Sequence, residues 1–438
     1  MKTNLSFSPS PSFWRQFAQQ HWEKKPLLIK HALPGPLIAP ESAFQALVEA
    51  SDQYRADDER VALGFYIEQT SLLADVGKFL PQSSDGTSAR FARRIKSKLA
   101  GRRFGVICEQ FQSFDTEIWR RIRGFLRGLY RHVDLPAAKA ALFFGDYDKT
   151  PFGLHDGESS NFKFIIEGRK KMRLWPDKFF RDKDKSKVRH SMDYEQFFDG
   201  VITLEGGPGD VIYWPSDCWH IGEPVGGLAV SLSVALFPDG QRLAELPGQL
   251  FAHLNPGVAS APRKPTRRGR PAGLQKLAAQ LPRRLEKLAR SLRELSSDDE
   301  FKRAASVEWL NRLSGFGFAH VPPPLAQTKL RDGDIVRGDA ADPILCLAAG
   351  DEVICSANGH AFSVGAHPEI LKLLRELNRG NSLRVGALIK QYSGDARVGR
   401  VTFKARSEDI RALLEKLYCL RAIRKGALLH RRIPSNRR

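Results

Sequence analysis

The sequence predicts an α+β protein: a β-sandwich or double-stranded β-helix core with flanking helices, then a basic linker and a second globular region. Three observations predict it. Helical apolar spacing dominates residues 1–135, several short apolar strands punctuated by Gly and Pro follow, and a stretch rich in Arg, Lys, Pro and Gly precedes a further set of helices. A chain of 438 residues is also too long for one ordinary core.

In chain order, Phe13, Trp14, Phe17 and Trp22 recur at helical spacing, and Leu27-Leu28-Ile29 reads as a short strand after the breaker Pro26. Ala89 to Phe104 (ARFARRIKSKLAGRRF) is basic without an acid and reads as a solvated helix or loop. Glu109 to His132 carries apolar residues at three- and four-residue steps and reads as a helix. Beyond Pro136 the pattern changes to strands: AALFFGDY, NFKFIIEG, KKMRLWP, GDVIYWP and LAVSLSVALF. These patterns divide the chain into 1–135, a strand-rich core at 136–256, a linker at 257–296 and a C-terminal domain at 297–438.

Gly257 to Ser296 holds eleven basic residues against Glu286 and Glu294. Its first part, SAPRKPTRRGRPAG, cannot form a core and reads as a flexible linker; its second part places leucines at helical spacing with an arginine-rich opposite face. From about 300 onward strands lead into three helices, the last opened by Ser407 as N-cap with Glu408 and Asp409 in its first turn. Three helices with a small ribbon suggest a winged-helix-like domain.

Net charge is +20 and the isoelectric point about 9.9, a balance that favours an acidic or polyanionic partner. An arginine-rich composition by itself accounts for the charge equally well. No apolar run is long enough to span a bilayer, and the first residues lack the apolar stretch of a secretory signal, so cytoplasmic location and no membrane contact are expected. The five cysteines show no CxxC pair and read as reduced thiols.

Two segments carry chemistry. The first is Thr150-Pro-Phe-Gly-Leu-His155-Asp156-Gly157-Glu158; the second runs from Gly209 through Tyr213-Trp214-Pro215 to Cys218-Trp219-His220. A histidine ending one strand and another starting a later strand can meet across a barrel mouth. With one carboxylate they form the face that leaves adjacent metal positions open, as in non-haem Fe(II) oxygenases. Either histidine alone reads more simply as structural.

The flanks resemble the Fe(II)- and 2-oxoglutarate-dependent oxygenases of the JmjC/cupin type, a group that includes asparaginyl and ribosomal-protein hydroxylases. The resemblance runs through FG-x-H, N-F, EGRK and LWP at 151–176, then GD-x-I-Y-W-P at 209–215, Trp219-His220 and the strand SLSVALF. HWEKKPLLIK at 21–30 is similar to the family's lead-in. The resemblance implies a cupin/jelly-roll core, Fe(II) and 2-oxoglutarate as cofactors, and His155 and His220 as metal ligands. It implies Lys170 as partner of the distal carboxylate of 2-oxoglutarate, with Asn161 near that co-substrate. A lysine in the run RKK also reads as solvated. Tyr213, Trp214 and Trp219 are candidates to line the pocket, although ordinary core packing suits at least two of them better. Cys218 is close in sequence to His220 and is expected to point elsewhere.

The chain departs from the family motif His-x-Asp/Glu at Gly157. Three readings stay open. Asp156 or Glu158 swings in as the third ligand, because glycine makes the turn pliable; or the position is vacant, as in related iron halogenases with Gly or Ala there; or metal binding is weak and the domain is a non-catalytic nucleic-acid or peptide adaptor. Two acids beside the gap favour a hydroxylase over a halogenase. A basic linker and an extra domain favour a protein or peptide substrate.

Arg267-Arg268-Gly269-Arg270-Pro271 matches the core of an AT-hook, which would set Arg268 and Arg270 in the minor groove of A·T-rich DNA; a bland basic hinge is the simpler reading. Nucleic acid or a ribosome could meet this linker. The C-terminal module is similar to that of ribosomal-protein hydroxylases, which implies a homodimer.

Overall fold

The structure, a computed structural model, describes residues 9–58, 60–238, 299–398 and 401–426. It has two compact units, Met1–Gly240 with Phe316–Pro323, and Gln241–Gly315 with Pro324–Arg438. The linker and its RGRP segment, with Arg268 and Arg270, lie outside the described residues. No helix among the described residues is long and apolar enough to cross a membrane.

The first unit is one antiparallel sheet with helices against one face. In chain order its strands are β1 (Leu27–Ile29), β2 (Leu63–Ile67), β3 (Thr70–Ser71), β4 (Phe104–Cys108), β5 (Ala137–Asp146), β6 (His155–Asp156), β7 (Ser160–Pro176), β8 (Ile202–Gly206), β9 (Val211–Trp214) and β10 (Cys218–Phe237). They pair in the order β1-β9-β7-β10-β5-β4-β2-β3, with β6 added on β10 and β8 on β7. The helices α1 (Pro11–Gln20), α2 (Pro40–Arg55), α3 (Ser88–Lys98) and α4 (Thr116–Leu126) precede the long strands, and a single turn, α5 (Lys185–Val188), follows β7.

Local chemistry sets these elements. Ser10 and Asp115 cap α1 and α4 by accepting from Phe13 N (3.2 Å) and Ile118 N (2.8 Å), and Pro11 suits the first helical turn, where no backbone donor is needed. Alternation divides the strands: Phe162, Phe164 and Ile166 of β7 join Trp14, Phe17, Phe125 and Leu142 in the helix-covered core. Asn161, Lys163, Phe143, Trp214 and Ser233 line the opposite side.

Residues 161–176, which read as two strands, are one. The interruption is a double irregularity: Ile166 is left without a partner between the pairs Ile165–Ser231 and Glu167–Val230, and Gly226 to Ala229 of β10 lie opposite Gly168 alone. Its consequence is a change of phase: Asn161 and Lys163 face inward before it, Met172 and Leu174 after it. Gly168 has φ +70, and a Cβ there would lie 2.3 Å from Leu228 O.

The stretch 1–135 is less helical than its periodicity suggests. β2 and β4 extend the large sheet beyond β5, because Leu63, Phe65, Phe104 and Val106 alternate into the core on runs too short to show a period. The basic segment 89–104 is an amphipathic helix, α3, that buries Phe91, Ala92 and Ile95.

The second unit has its own core, built from Leu373, Leu377, Leu388, Ile410, Leu414 and neighbours. Its helices are α6 (Asp299–Ser314), α7 (Pro368–Asn378), α8 (Val385–Tyr392) and α9 (Ser407–Cys419). Ile335–Gly338 pairs with Ser382–Arg384 and Ile423–Lys425; Leu345–Ala349, Glu352–Ala357 and His360–Gly365 form a meander; Gly394–Val398 and Val401–Ala405 form a hairpin. Ser407 is not the cap of α9: it is the first helical residue, and Arg406 takes the cap position, its N–H donating to Asp409 Oδ2 at 3.1 Å.

Gly168→Ala is expected to cost about 2–3 kcal/mol of stability, because both the backbone angle and Leu228 O oppose a Cβ. Urea unfolding of the variant beside Gly207→Ala, where nothing lies within 4 Å, measures it.

Candidate metal centre

The site begins with a two-residue strand. β6 pairs with β10 so that His155 stands directly opposite His220, and the imidazole centroids lie 4.3 Å apart. A turn at Pro215–Cys218 reverses β9 into β10 and sets Trp214 4.9 Å from the His220 ring. Both histidines line a cavity of about 160 Å³ with Phe143, Thr150, Phe152, Asn161, Lys163, Met172, Trp214 and Ser233 among its walls.

Each imidazole is fixed through Nδ1 to the carbonyl two residues earlier, His155 to Gly153 O (2.9 Å) and His220 to Cys218 O (3.1 Å). A carbonyl only accepts, so Nδ1 carries the proton and Nε2 is left with the lone pair. Burial holds His155 below the ordinary histidine value, against the Gly153 carbonyl, which raises it. His220 is held well below by burial and then by His155. Two neutral imidazoles with matched free nitrogens are what a divalent ion needs.

The acids beside them are placed differently. Asp156 follows His155 on the strand, lies opposite Trp219, and pairs with Arg189 at 2.7 Å. Glu158 is exposed and does not line the cavity. The residue that faces the imidazoles is Gly157: a Cβ there would lie 3.4 Å from His220 Cε1. Among the described residues no group of three or more His, Cys, Asp or Glu side chains could hold a metal. Two imidazoles free at Nε2 are donors of the kind an iron-type ion takes, but the described residues do not supply the carboxylate beside them.

Lys170 is fully buried, donates to the Tyr147 hydroxyl and sits 4.2 Å over that ring. It lies just behind the cavity wall, since a Cβ on Gly222 would come within 3.2 Å of its Cε. Burial, then Lys163, drives its ammonium well below the usual lysine range, with Glu223 opposing. Asn161 lines the cavity with its amide engaged by Ser159 O (2.9 Å) and Ser233 Oγ (3.1 Å). Of the three aromatic candidates only Trp214 lines it. Tyr213 packs on Phe17 and Phe162 and accepts from Glu23 N, and Trp219 donates to Asp177 Oδ1 in a separate cluster. Cys218 is buried among Ile165, Met172 and Leu174, away from the cavity wall, and its thiol is pushed up to about 12 by burial.

Lys163 is the cavity residue that the motif reading passed over. It is 3% exposed, and its Nζ rests 4.1 Å from the Phe143 ring and 6.0 Å from that of Trp214. Burial pushes its ammonium down to about 7. The signal was present: in N-F-K-F-I-I a lysine interrupts an apolar strand at the same parity as Asn161.

No protein-family model matches the sequence, and no curated protein matches it. Among solved structures the chain is similar to YcfD, a ribosomal oxygenase from Escherichia coli, with 16% identity over 94% of this chain and 98% of that chain and a TM-score of 0.47. The form of YcfD in complex with cobalt and 2-oxoglutarate is similar at 17% identity over the same shares, with a TM-score of 0.47. The form with cobalt and succinic acid stands at 16% and 0.46.

Because both imidazoles titrate below 6.5 when folded, the unfolded chain binds more protons just under that pH. Their contribution is complete above pH 6.5 and is lost as pH falls toward the folded values. Stability of the metal-free chain should fall between pH 7 and 5, and His220→Gln should flatten that slope, as measured by urea unfolding at each pH.

Proposed function

We propose that this chain is an Fe(II)- and 2-oxoglutarate-dependent oxygenase that hydroxylates a side chain of a protein or peptide in the cytoplasm. The observation that carries the reading is the cross-strand pair His155–His220, both neutral, both anchored through Nδ1, on the wall of a cavity backed by a buried lysine. The antiparallel sheet folded about that cavity supports a double-stranded β-helix. In the second unit, α7, α8 and α9 with the hairpin between α8 and α9 support a winged-helix-like domain.

When bound, Fe(II) with 2-oxoglutarate and oxygen supplies the oxidant for an unactivated C–H bond. The protein's part is binding, orientation and exclusion of water. His155 and His220 would hold the metal through Nε2. Lys170, braced by Tyr147, would receive the distal carboxylate of 2-oxoglutarate, and a buried ammonium is costly until it meets such an anion. Phe143, Phe152, Met172 and Trp214 keep the cavity dry. Glu109 and Lys139, paired at 3.2 Å and each one-third exposed, belong to its mouth, where a substrate enters. The charge of +20 supports an acidic protein or a ribosomal component as the partner.

A halogenase is the second reading, and Gly157 is the observation that favours it, because it brings no side chain to the side facing His220. Product mass with and without chloride separates the two. An adaptor without catalysis predicts no metal uptake and no succinate.

With Fe(II), 2-oxoglutarate and oxygen the protein should form succinate. His155→Ala or His220→Ala should abolish stoichiometric iron binding, and iron retained in both variants would remove the metal assignment. Lys170→Met should raise the half-saturating 2-oxoglutarate concentration about tenfold or more, the loss of one buried charge contact of roughly 1.4 kcal/mol. An unchanged value would overturn its role.

A further inference from the structure

Lys163 poses a physical question that Lys170 does not. Among the described residues no hydrogen bond or ion pair reaches its ammonium, which has only the faces of Phe143 and Trp214. Cation–π contact of that kind offsets part of the cost of burying a charge, not all of it. A buried ammonium on a cavity wall is stabilised when an anion enters the cavity.

Among the described residues no acidic side chain of the cavity stands beside the two imidazoles. Gly157 brings no side chain toward His220, where a Cβ would meet the ring at 3.4 Å, Asp156 is turned to Arg189, and Glu158 is exposed. Glu109, the one acid on the cavity wall among the described residues, is paired with Lys139. With neutral histidines, the centre presents Lys163, Lys170 and any bound cation, and among the described residues the carboxylate that lines it is already paired with Lys139. A dianionic co-substrate at Lys170 would leave that positive charge only partly balanced.

We infer that Lys163 and the cavity wall at Gly157, which carries no side chain, form a second anion subsite, which receives a carboxylate carried by the substrate. The substrate class is then an acidic residue or a chain-terminal carboxylate of a peptide. The carboxylate would lie beside His220, where the protein's own acid is missing. For the word substrate this rests on the oxygenase reading; for the anion it rests on the cavity alone.

The test uses the full-length, metal-free protein, with calorimetric titration of acetate, chloride, N-acetyl-aspartic acid amide and N-acetyl-asparagine amide at constant ionic strength. The aspartic derivative should bind at least tenfold more tightly than acetate, and the asparagine derivative should not bind measurably. Lys163→Met should weaken the aspartic derivative at least tenfold while Lys170→Met leaves it within twofold. Gly157→Asp, which fills the space with a tethered carboxylate, should exclude it, with circular dichroism confirming that each variant is folded. Equal binding by wild type and Lys163→Met would overturn the subsite. So would equal loss in Lys170→Met, which would merge it with the co-substrate position. Chloride binding as tightly as the aspartic derivative, or acetate binding equally well, would overturn the substrate-borne carboxylate. Because no metal is present, failure of iron or 2-oxoglutarate binding would sink the oxygenase reading and leave this result standing.

Discussion

The phase of β7 against β10 is the constraint on which the site depends. Alternation alone would turn Lys163 and Lys170, seven residues apart, to opposite faces of the sheet. The double irregularity that begins at Ile166 and ends at Gly168 resets the count, so that Lys163 faces the cavity and Lys170 lies just behind its wall while Phe162, Phe164 and Ile166 remain under the helices. Only a residue that tolerates φ +70 and presents no Cβ to Leu228 O can sit there. The reset also keeps Met172 and Leu174 opposite Gly222 and His220, which places the second histidine on the wall that Asn161 and Lys163 begin.

The electrostatic character of the cavity follows from this placement. Two imidazoles are neutral because burial disfavours their charged forms, and their Nδ1 protons are committed to backbone carbonyls. Two lysines are buried without a full counter-ion, one braced by a tyrosine hydroxyl and one resting on aromatic faces. The acids nearest in sequence are spent elsewhere or lie in solvent. In a site so arranged, burial disfavours protonation of the imidazoles and leaves the two ammonium groups short of counter-ions.

The parts legible in the sequence were those written in short, local patterns. His155 and His220 could be named because each sits beside distinctive flanks, and the absence of a carboxylate two residues after His155 was plain. Which side of the turn faces His220 was not legible, because it depends on the pairing of a two-residue strand, His155-Asp156, with β10. Lys163 was hidden by the more conspicuous run Arg169-Lys170-Lys171, although its parity with Asn161 marked it. The strands β2 and β4 were obscured by their shortness, and the buried face of α3 by its seven basic neighbours between Arg90 and Arg103. Tyr213 and Trp219 resembled pocket residues because both lie near His220 in the chain; alternation and a turn send them into two different cores.

The most direct test of this account is a crystal structure of the anaerobic complex with Fe(II) and 2-oxoglutarate. The account predicts a metal bonded to Nε2 of His155 and of His220 at about 2.1 Å, the distal carboxylate of 2-oxoglutarate at Lys170, and no oxygen of Asp156 or Glu158 on the metal. A metal ligated by Asp156 after loss of Arg189, or crystals in which neither histidine holds a metal, would contradict it.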